Sequence, residues 1–314
     1  MMKSYSLAAL CACSLSVLLV CSAGPIARAI AEPVANRSSE VKVRSPEVRA
    51  RQLAAEWADA RVIYLGETHD READHRAQLA IIQALQAQNP KVAIAMEMFQ
   101  RPYQGAIDAY LAGELDEAQL VEQTEYERRW GFPWENYAPI LRFAKAQQLP
   151  TLALNVPSEV TRKLAREGWE SLDEGDRQYI PPREQIDLDN EEYRALLRGV
   201  YEQHAQAGHG SSEDLDRFFL VQVLWDETMA ETIAEFLKHN EDYQVVVLTG
   251  SGHVVYGYGI PDRVARRMGD RRDFVQRSLV FDPPESLPNP GGRAIADFVW
   301  DRDPTESGDR SKSD

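Results

Sequence analysis

The chain has 314 residues, 44% of them hydrophobic, which is enough for one large core or two small ones and excludes general disorder. A formal net charge of -15, with no basic stripe and no nucleic-acid motif, excludes a phosphate-backbone partner, because such a partner needs clustered Lys and Arg. Small molecules or other proteins remain as partners.

The N-terminus reads as a targeting segment. Lys3 gives a small positive region, Leu7 to Val20 an apolar core, and Ala27-Arg28-Ala29 or Ala29-Ile30-Ala31 a cleavage site, so residues 1–31 are expected to be a signal peptide and the chain to be exported. A membrane anchor is the competing reading, but Cys11, Cys13, Ser14 and Ser16 interrupt the apolar run. Leu18-Leu19-Val20-Cys21 also has the form of a lipobox, although Val20 is bulky where small residues are usual; lipidation at Cys21 would place the protein in the periplasm or on the outer membrane. All three cysteines lie here, so disulfides do not hold the mature fold. Residues 32–49 are polar and proline-punctuated, as suits a tether, and 301–314 read as a disordered tail.

Between tether and tail, from 50 to 300, strand and helix patterns alternate. Val62 to Leu65 is followed by helical spacing from about Ala73 to Gln88, with Asp70 or Asp74 as its cap, and Val92 to Met96 by more helical sequence. Thr151 to Leu154 precedes a helix opened by Pro157 and Ser158; Arg217 to Leu237 reads as a long helix; Val245 to Thr249 precedes Pro261 to Met268, and Ser278 to Phe281 closes the series. That rhythm predicts an α/β fold with a mostly parallel sheet flanked by helices. The spacing breaks in two places, so about 100–146 and 166–215 are expected to form a smaller helical subdomain or cap. On the long helix, Trp225 and Met229 read as core, and Asp226 and Glu227 as an interruption of the apolar face.

Several strands end in groups able to do chemistry. Glu67-Thr68-His69 follows the first, Glu97 the second, Asn155 the third, and Ser251-Gly252-His253 the fourth. Carboxylates and imidazoles at the carboxyl ends of parallel strands suit a metal, a polarised water or a haem propionate. Glu97 after an apolar run needs a partner, since an unpaired buried carboxylate is too costly; a purely structural hydrogen bond would also serve. His75 reads as a solvated or capping histidine, and His204 and His209 fit no metal spacing. There is no G-x-S-x-G, no H-E-x-x-H and no Walker lysine beside the glycines at 66 and 250–252, which offer only a weak phosphate-turn signal. Two aromatic stretches, Trp130-Gly131-Phe132-Pro133-Trp134-Glu135-Asn136-Tyr137 and Val254-Val255-Tyr256-Gly257-Tyr258-Gly259-Ile260-Pro261, in glycine- and proline-bounded loops, could wall a flat apolar ligand or pack ordinary loops.

Taken in order, Tyr64-Leu65-Gly66-Glu67-Thr68-His69-Asp70, Ala95-Met96-Glu97-Met98-Phe99, Trp134-Glu135-Asn136-Tyr137, Asn155-Val156-Pro157, Trp225 to Ala230 and Gly250-Ser251-Gly252-His253 with Tyr256 to Pro261 resemble the ChaN family of haem-binding uptake lipoproteins, within the Tiki and erythromycin-esterase-like superfamily. The resemblance implies an α/β fold with a helical subdomain, outer-membrane attachment, a part in iron acquisition through an uptake receptor, and haem held between two monomers of a homodimer. It also implies a tyrosine ligand to the iron, with basic or imidazole groups on the propionates. Tyr256 and Tyr258 are the candidates for the iron, with His253, His69 and Trp134 as further cofactor-binding residues. A second reading stays open: hydrolase members of the superfamily imply that Glu67, His69, Glu97 and His253 could hold a divalent metal ion or act as general bases on water. A scaffold with a vestigial site is the third.

Overall fold

The computed structural model describes residues 45–206, 212–269, 273–284 and 287–301. The signal segment, most of the tether, the side chain of His204, all of His209 and nearly all of the tail lie outside them. Six strands, β1 (Val62–Glu67), β2 (Val92–Gln100), β3 (Thr151–Asn155), β4 (Gln244–Gly250), β5 (Gln276–Phe281) and β6 (Phe298–Trp300), form one sheet in the order β3-β2-β4-β1-β5-β6. Every strand pairing is parallel, so the expected α/β architecture is present.

A parallel sheet covered on both faces needs strands that are apolar throughout, and β1, β2 and β4 are buried at every residue. Alternation then assigns the faces. Ile63, Leu65, Ile94, Met96, Val246 and Leu248 point into one core with α1 (Pro46–Glu56), α2 (Glu72–Gln88) and α6 (Trp134–Gln147). Val62, Tyr64, Ala93, Ala95, Val245 and Val247 point into the other, with α10 (Ser212–His239) and α11 (Ile260–Met268). A slip of one residue in any strand would exchange these sets, so burial on both sides fixes the register.

The crossovers locate the ligand crevice. After β1 the chain crosses to β2 through α2 on one face, and after β4 it crosses to β5 through α11 on the other. The adjacent β1 and β4 therefore flank the switch point where open α/β sheets place their ligands. Their last residues, Glu67 and Gly250, are register partners there.

The structure corrects four details of the sequence reading. Helix α1 begins at Pro46, inside the expected tether, and buries Ala50, Leu53 and Ala54. Strand β2 continues to Gln100, so Glu97 lies within it, beside a register irregularity between Met96 and Gln100. Neither Asp70 nor Asp74 caps α2: Arg71 is its N-cap residue, and Asp74 sits in the first turn, where its carboxylate accepts from the Thr68 amide at 3.0 Å. Finally, β6 adds an edge that its three residues did not advertise.

The helices between β2 and β3, α3 (Gln104–Leu111), α4 (Glu117–Gln123), α5 (Tyr126–Arg129) and α6, send Ile107, Tyr110, Leu120, Tyr126 and Tyr137 into the sheet's own core. After β3, α7 (Ser158–Glu167) packs in a small third cluster of Val160, Leu164, Leu172, Ile180 and Leu224, and the short α8 (Glu174–Arg177) follows on the surface with no buried residue. Helix α9 (Glu191–Gln206) contributes Tyr193, Leu196 and Leu197 to the core under α10. No helix among the described residues is long and apolar enough to cross a membrane.

The outer edge of β3 is covered by a side chain. The Gln104 amide donates to the Thr151 carbonyl at 2.8 Å and accepts from the Ala153 amide at 2.7 Å, as a neighbouring strand would. Gln104→Leu is expected to leave both groups unpaired, costing about 2 kcal/mol in denaturant unfolding and increasing edge-to-edge aggregation measured by light scattering.

Candidate functional site

Glu67 closes β1 with its carboxylate fully enclosed. One oxygen accepts from His69 Nδ1 at 2.9 Å and from the Tyr137 hydroxyl; the other accepts from the Gln78 amide at 2.6 Å and lies 3.5 Å from His75 Nδ1. His75 donates from Nε2 to the His69 carbonyl at 3.0 Å, and its Nδ1 faces Gln78 Oε1 and Glu67. Burial disfavours the charged ring, but the acceptors facing both nitrogens, Glu67 foremost, outweigh it and raise the His75 pKa. His75 is buried and central, contrary to the solvated role expected from the sequence.

The second half of the site forms around β2 and β4. Glu97 accepts from the Thr249 hydroxyl at 2.7 Å and the Gly250 amide at 2.8 Å, while its other oxygen stands 3.5 Å from His253 Nε2. His253 Nδ1 donates to Asp226 at 2.6 Å, with the Gln222 amide 3.0 Å from the same nitrogen; Asp226 in turn accepts from the Tyr193 hydroxyl at 2.6 Å. The acids on α10 are therefore not interruptions. Asp226 lies on the helix's inward face, spaced from Phe219, Val223, Ala230 and Ile233 at helical intervals, and is completely buried.

Three carboxylates, Glu67, Glu97 and Asp226, thus meet three imidazoles, His69, His75 and His253. Burial alone would raise the Glu67 carboxyl, but hydrogen bonds and charge from His69 and His75 outweigh it and hold the group at about 2. Burial likewise works against ionised Glu97, and His253 and His69 bring it to about 2. Burial disfavours the charged form of His253, yet Glu97 and Asp226 raise it from 6.5 to about 10. His69 moves upward for the same reason, with Glu67 and Glu97 overcoming its burial.

His69 Nδ1 is committed to Glu67; among the described residues, no protein group hydrogen-bonds its Nε2. The imidazole lies against the half-buried rings of Trp130 and Phe132, with centroids at 4.7 and 4.9 Å. An imidazole that is 12% exposed, whose charged form is favoured, beside an aromatic wall suits the carboxylate of a flat apolar ligand. A cavity of about 280 Å³ opens farther along the same sheet edge, lined by Gln100, Tyr103, Arg129, Val160 and Tyr179 among others.

The structure brings together Glu67, His69, Glu97 and His253, but not the other sequence candidates. Trp134 packs on Phe99 and Tyr126 and donates to Glu117 at 2.8 Å, so Trp130 and Phe132 hold the place beside His69. Tyr256 and Tyr258 are buried under the segment around Leu287 and Ile295, in the core beneath α10. Tyr256 adopts a left-handed φ of 58°, its hydroxyl lies 3.4 Å from the Leu287 carbonyl, and the Tyr258 hydroxyl is fully buried. A divalent-ion site does not form either: among the described residues, no group of three or more His, Cys, Asp or Glu side chains is placed to hold an ion. Both Glu67 oxygens are taken by donors, and each His253 nitrogen faces a carboxylate.

The sequence model of the family described as haem-binding uptake, Tiki superfamily, ChaN, matches residues 53–264. The chain belongs to this family. The matched stretch contains every side chain of the carboxylate–imidazole centre. Among solved structures, ChaN of Campylobacter jejuni, described with cofacial haem binding, superposes with a TM-score of 0.62 at 18% identity over 79% of this chain and 89% of that one. That likeness is one of fold. The erythromycin esterase EreC gives a TM-score of 0.43 at 14% identity, over 78% of this chain and 77% of that one. A curated relative, the chloroplastic protein RETICULATA-RELATED 5 of Arabidopsis thaliana, is 25% identical over 259 residues, covering 77% of this chain; the chain spans 34% of that protein's length.

The raised imidazoles give stability that is complete below their unfolded value of 6.5 and is lost as pH climbs towards about 10 for His253. The lowered carboxyls, Glu67 and Glu97, give stability that is complete above 4.5 and is lost as pH falls towards about 2. Asp74, raised to about 6 by burial, offsets part of that acid arm because its proton is held more tightly in the folded state. Denaturant midpoints are therefore expected to be highest between about pH 5 and 6 and to decline by about pH 9, with His253→Gln less stable at about pH 6 and flatter above it.

Proposed function

We propose that this protein binds haem at the carboxyl edge of its sheet and serves haem iron uptake in the bacterial envelope, without catalysing a reaction. The observation that carries the reading is the match to the haem-binding family across residues 53–264, which takes in the whole buried centre. The residues at the edge suit the group. Trp130 and Phe132 offer an apolar wall to a porphyrin face, and the His69 imidazole beside them, whose charged form Glu67 and Glu97 favour, offers a propionate a donor. Glu67 holds that imidazole through Nδ1, and the charge of Glu97 favours its protonated form. Haem supplies the iron; the protein's part is to shield one porphyrin face and neutralise a carboxylate.

The rest of the proposal follows from the sequence. A signal exports the chain, cut either before Cys21, which then carries an acyl anchor, or after Ala29 or Ala31, and the polar residues from 32 onward are the tether to the folded domain. Haem held between two copies would make dimerisation depend on the ligand, and a receptor of the uptake route would deliver or collect it. Tyr256 and Tyr258 could serve the iron only after the segment over them moves, so half-exposed tyrosines at the sheet edge, such as Tyr103 and Tyr179, are better placed for a phenolate ligand.

Haemin titration of the purified mature protein is expected to give a saturable absorption band and a shift to dimer in sedimentation. His69→Ala and Trp130→Ala should each weaken binding by about tenfold, the cost of one charged hydrogen bond or one lost aromatic face. Absence of saturable binding by the unaltered protein would end the proposal.

A further inference from the structure

Gly250 closes β4 with φ -59° and ψ 142°, a conformation open to any L-residue, so its backbone does not require glycine. Space does. A Cβ at this position would lie 2.9 Å from His69 Cε1, 3.0 Å from His69 Nε2 and 3.8 Å from a Glu97 oxygen. The imidazole therefore rests on the bare Cα, while the amide of the same residue donates to Glu97 at 2.8 Å. The two nearby glycines differ. At Gly259 a Cβ would meet the His253 carbonyl oxygen at 2.3 Å, a clash with backbone, and at Gly252 it would meet nothing within 4 Å.

We propose that Gly250 is a positioning residue that fixes both halves of the site, carrying the His69 imidazole on its Cα and the Glu97 carboxylate on its amide. Gly250, at the end of β4, the strand between β1 and β2 in the sheet, meets both the histidine that follows β1 and the β2 carboxylate. The clash that a methyl group would introduce is with a ring able to rotate away. Gly250→Ala should therefore displace His69 from Glu67 and Glu97 without unfolding the sheet. The inference does not depend on the identity of the ligand.

The test combines a histidine NMR titration with a thermal double-mutant cycle. In Gly250→Ala the His69 titration midpoint should fall towards that of a free imidazole, whereas Gly252→Ala should leave it at its wild-type value. Gly250→Ala should lower Tm by about 5 °C in the wild-type background and by less than about 1 °C in the His69→Ala background, since the ring is the only close obstacle. An unchanged His69 midpoint in Gly250→Ala, or an equal Tm loss in both backgrounds, would overturn the assignment. Haemin binding by the unaltered protein is a separate measurement, so failure of the haem reading and failure of this one are told apart.

Discussion

Charge balance at the β1–β4 switch point governs this molecule. Glu67, Glu97 and Asp226 are each removed from water, and an unpaired carboxylate there would cost several kcal/mol. Three imidazoles, His69, His75 and His253, supply the opposite charge, and Tyr137, Gln78, Thr249 and Tyr193 supply the remaining hydrogen bonds. The partners come from β1, α2, β2, α6, α9, α10, β4 and the turn after it, so the network closes only when the sheet and both helical layers are in place. It makes the end of the sheet a rigid polar plug in an otherwise apolar fold.

A second buried acid shows the same rule with different chemistry. Glu227, next to Asp226 on α10, is also fully enclosed, but it faces α11 and is held by Arg263, Arg266 and Arg267, with the Asp187 amide donating at 3.0 Å. Guanidinium groups stay charged at any working pH, so this cluster ties α10, α11 and the segment around Asp187 together regardless of conditions. The imidazole cluster one residue away responds to pH. Neighbouring acids on a single helix turn thus serve a fixed clamp on one side and a titratable site on the other.

These two acids also explain how far the sequence could be read. The α/β rhythm was legible because each central strand is covered on both faces, which forces continuous apolar runs at Val62, Val92 and Val245. Glu67, His69, Glu97 and His253 were legible because polar groups abruptly follow or enter those runs. Asp226 carried a signal that was available and misread: an acid on the apolar face of a long helix must be paired. His75 and Tyr137 carried none, since a histidine in a first helical turn and a tyrosine in an aromatic stretch look the same whether they meet Glu67 or solvent. Tyr256 and Tyr258 misled for a related reason. Glycines on either side suggested an open loop, whereas both rings are buried in the core beneath α10.

The balance also decides what the site can accept. Both Glu67 oxygens are taken by donors, His75 faces Gln78 and Glu67, and His253 faces Asp226 and Glu97, so among the described residues Nε2 of His69, against Gly250, is the imidazole nitrogen of the site with neither a hydrogen bond nor a carboxylate partner. That nitrogen donates while His69 is protonated, and Glu67 and Glu97 favour the protonated ring. A ligand carboxylate there would add one more negative neighbour and so hold the proton more tightly still, coupling anion binding to proton uptake. A cation would meet the opposite condition, beside an imidazole whose protonated form is favoured and with the nearest carboxylates already engaged. Under the haem proposal the ligand is an acid with an apolar body, and Trp130 and Phe132 lie against the same imidazole.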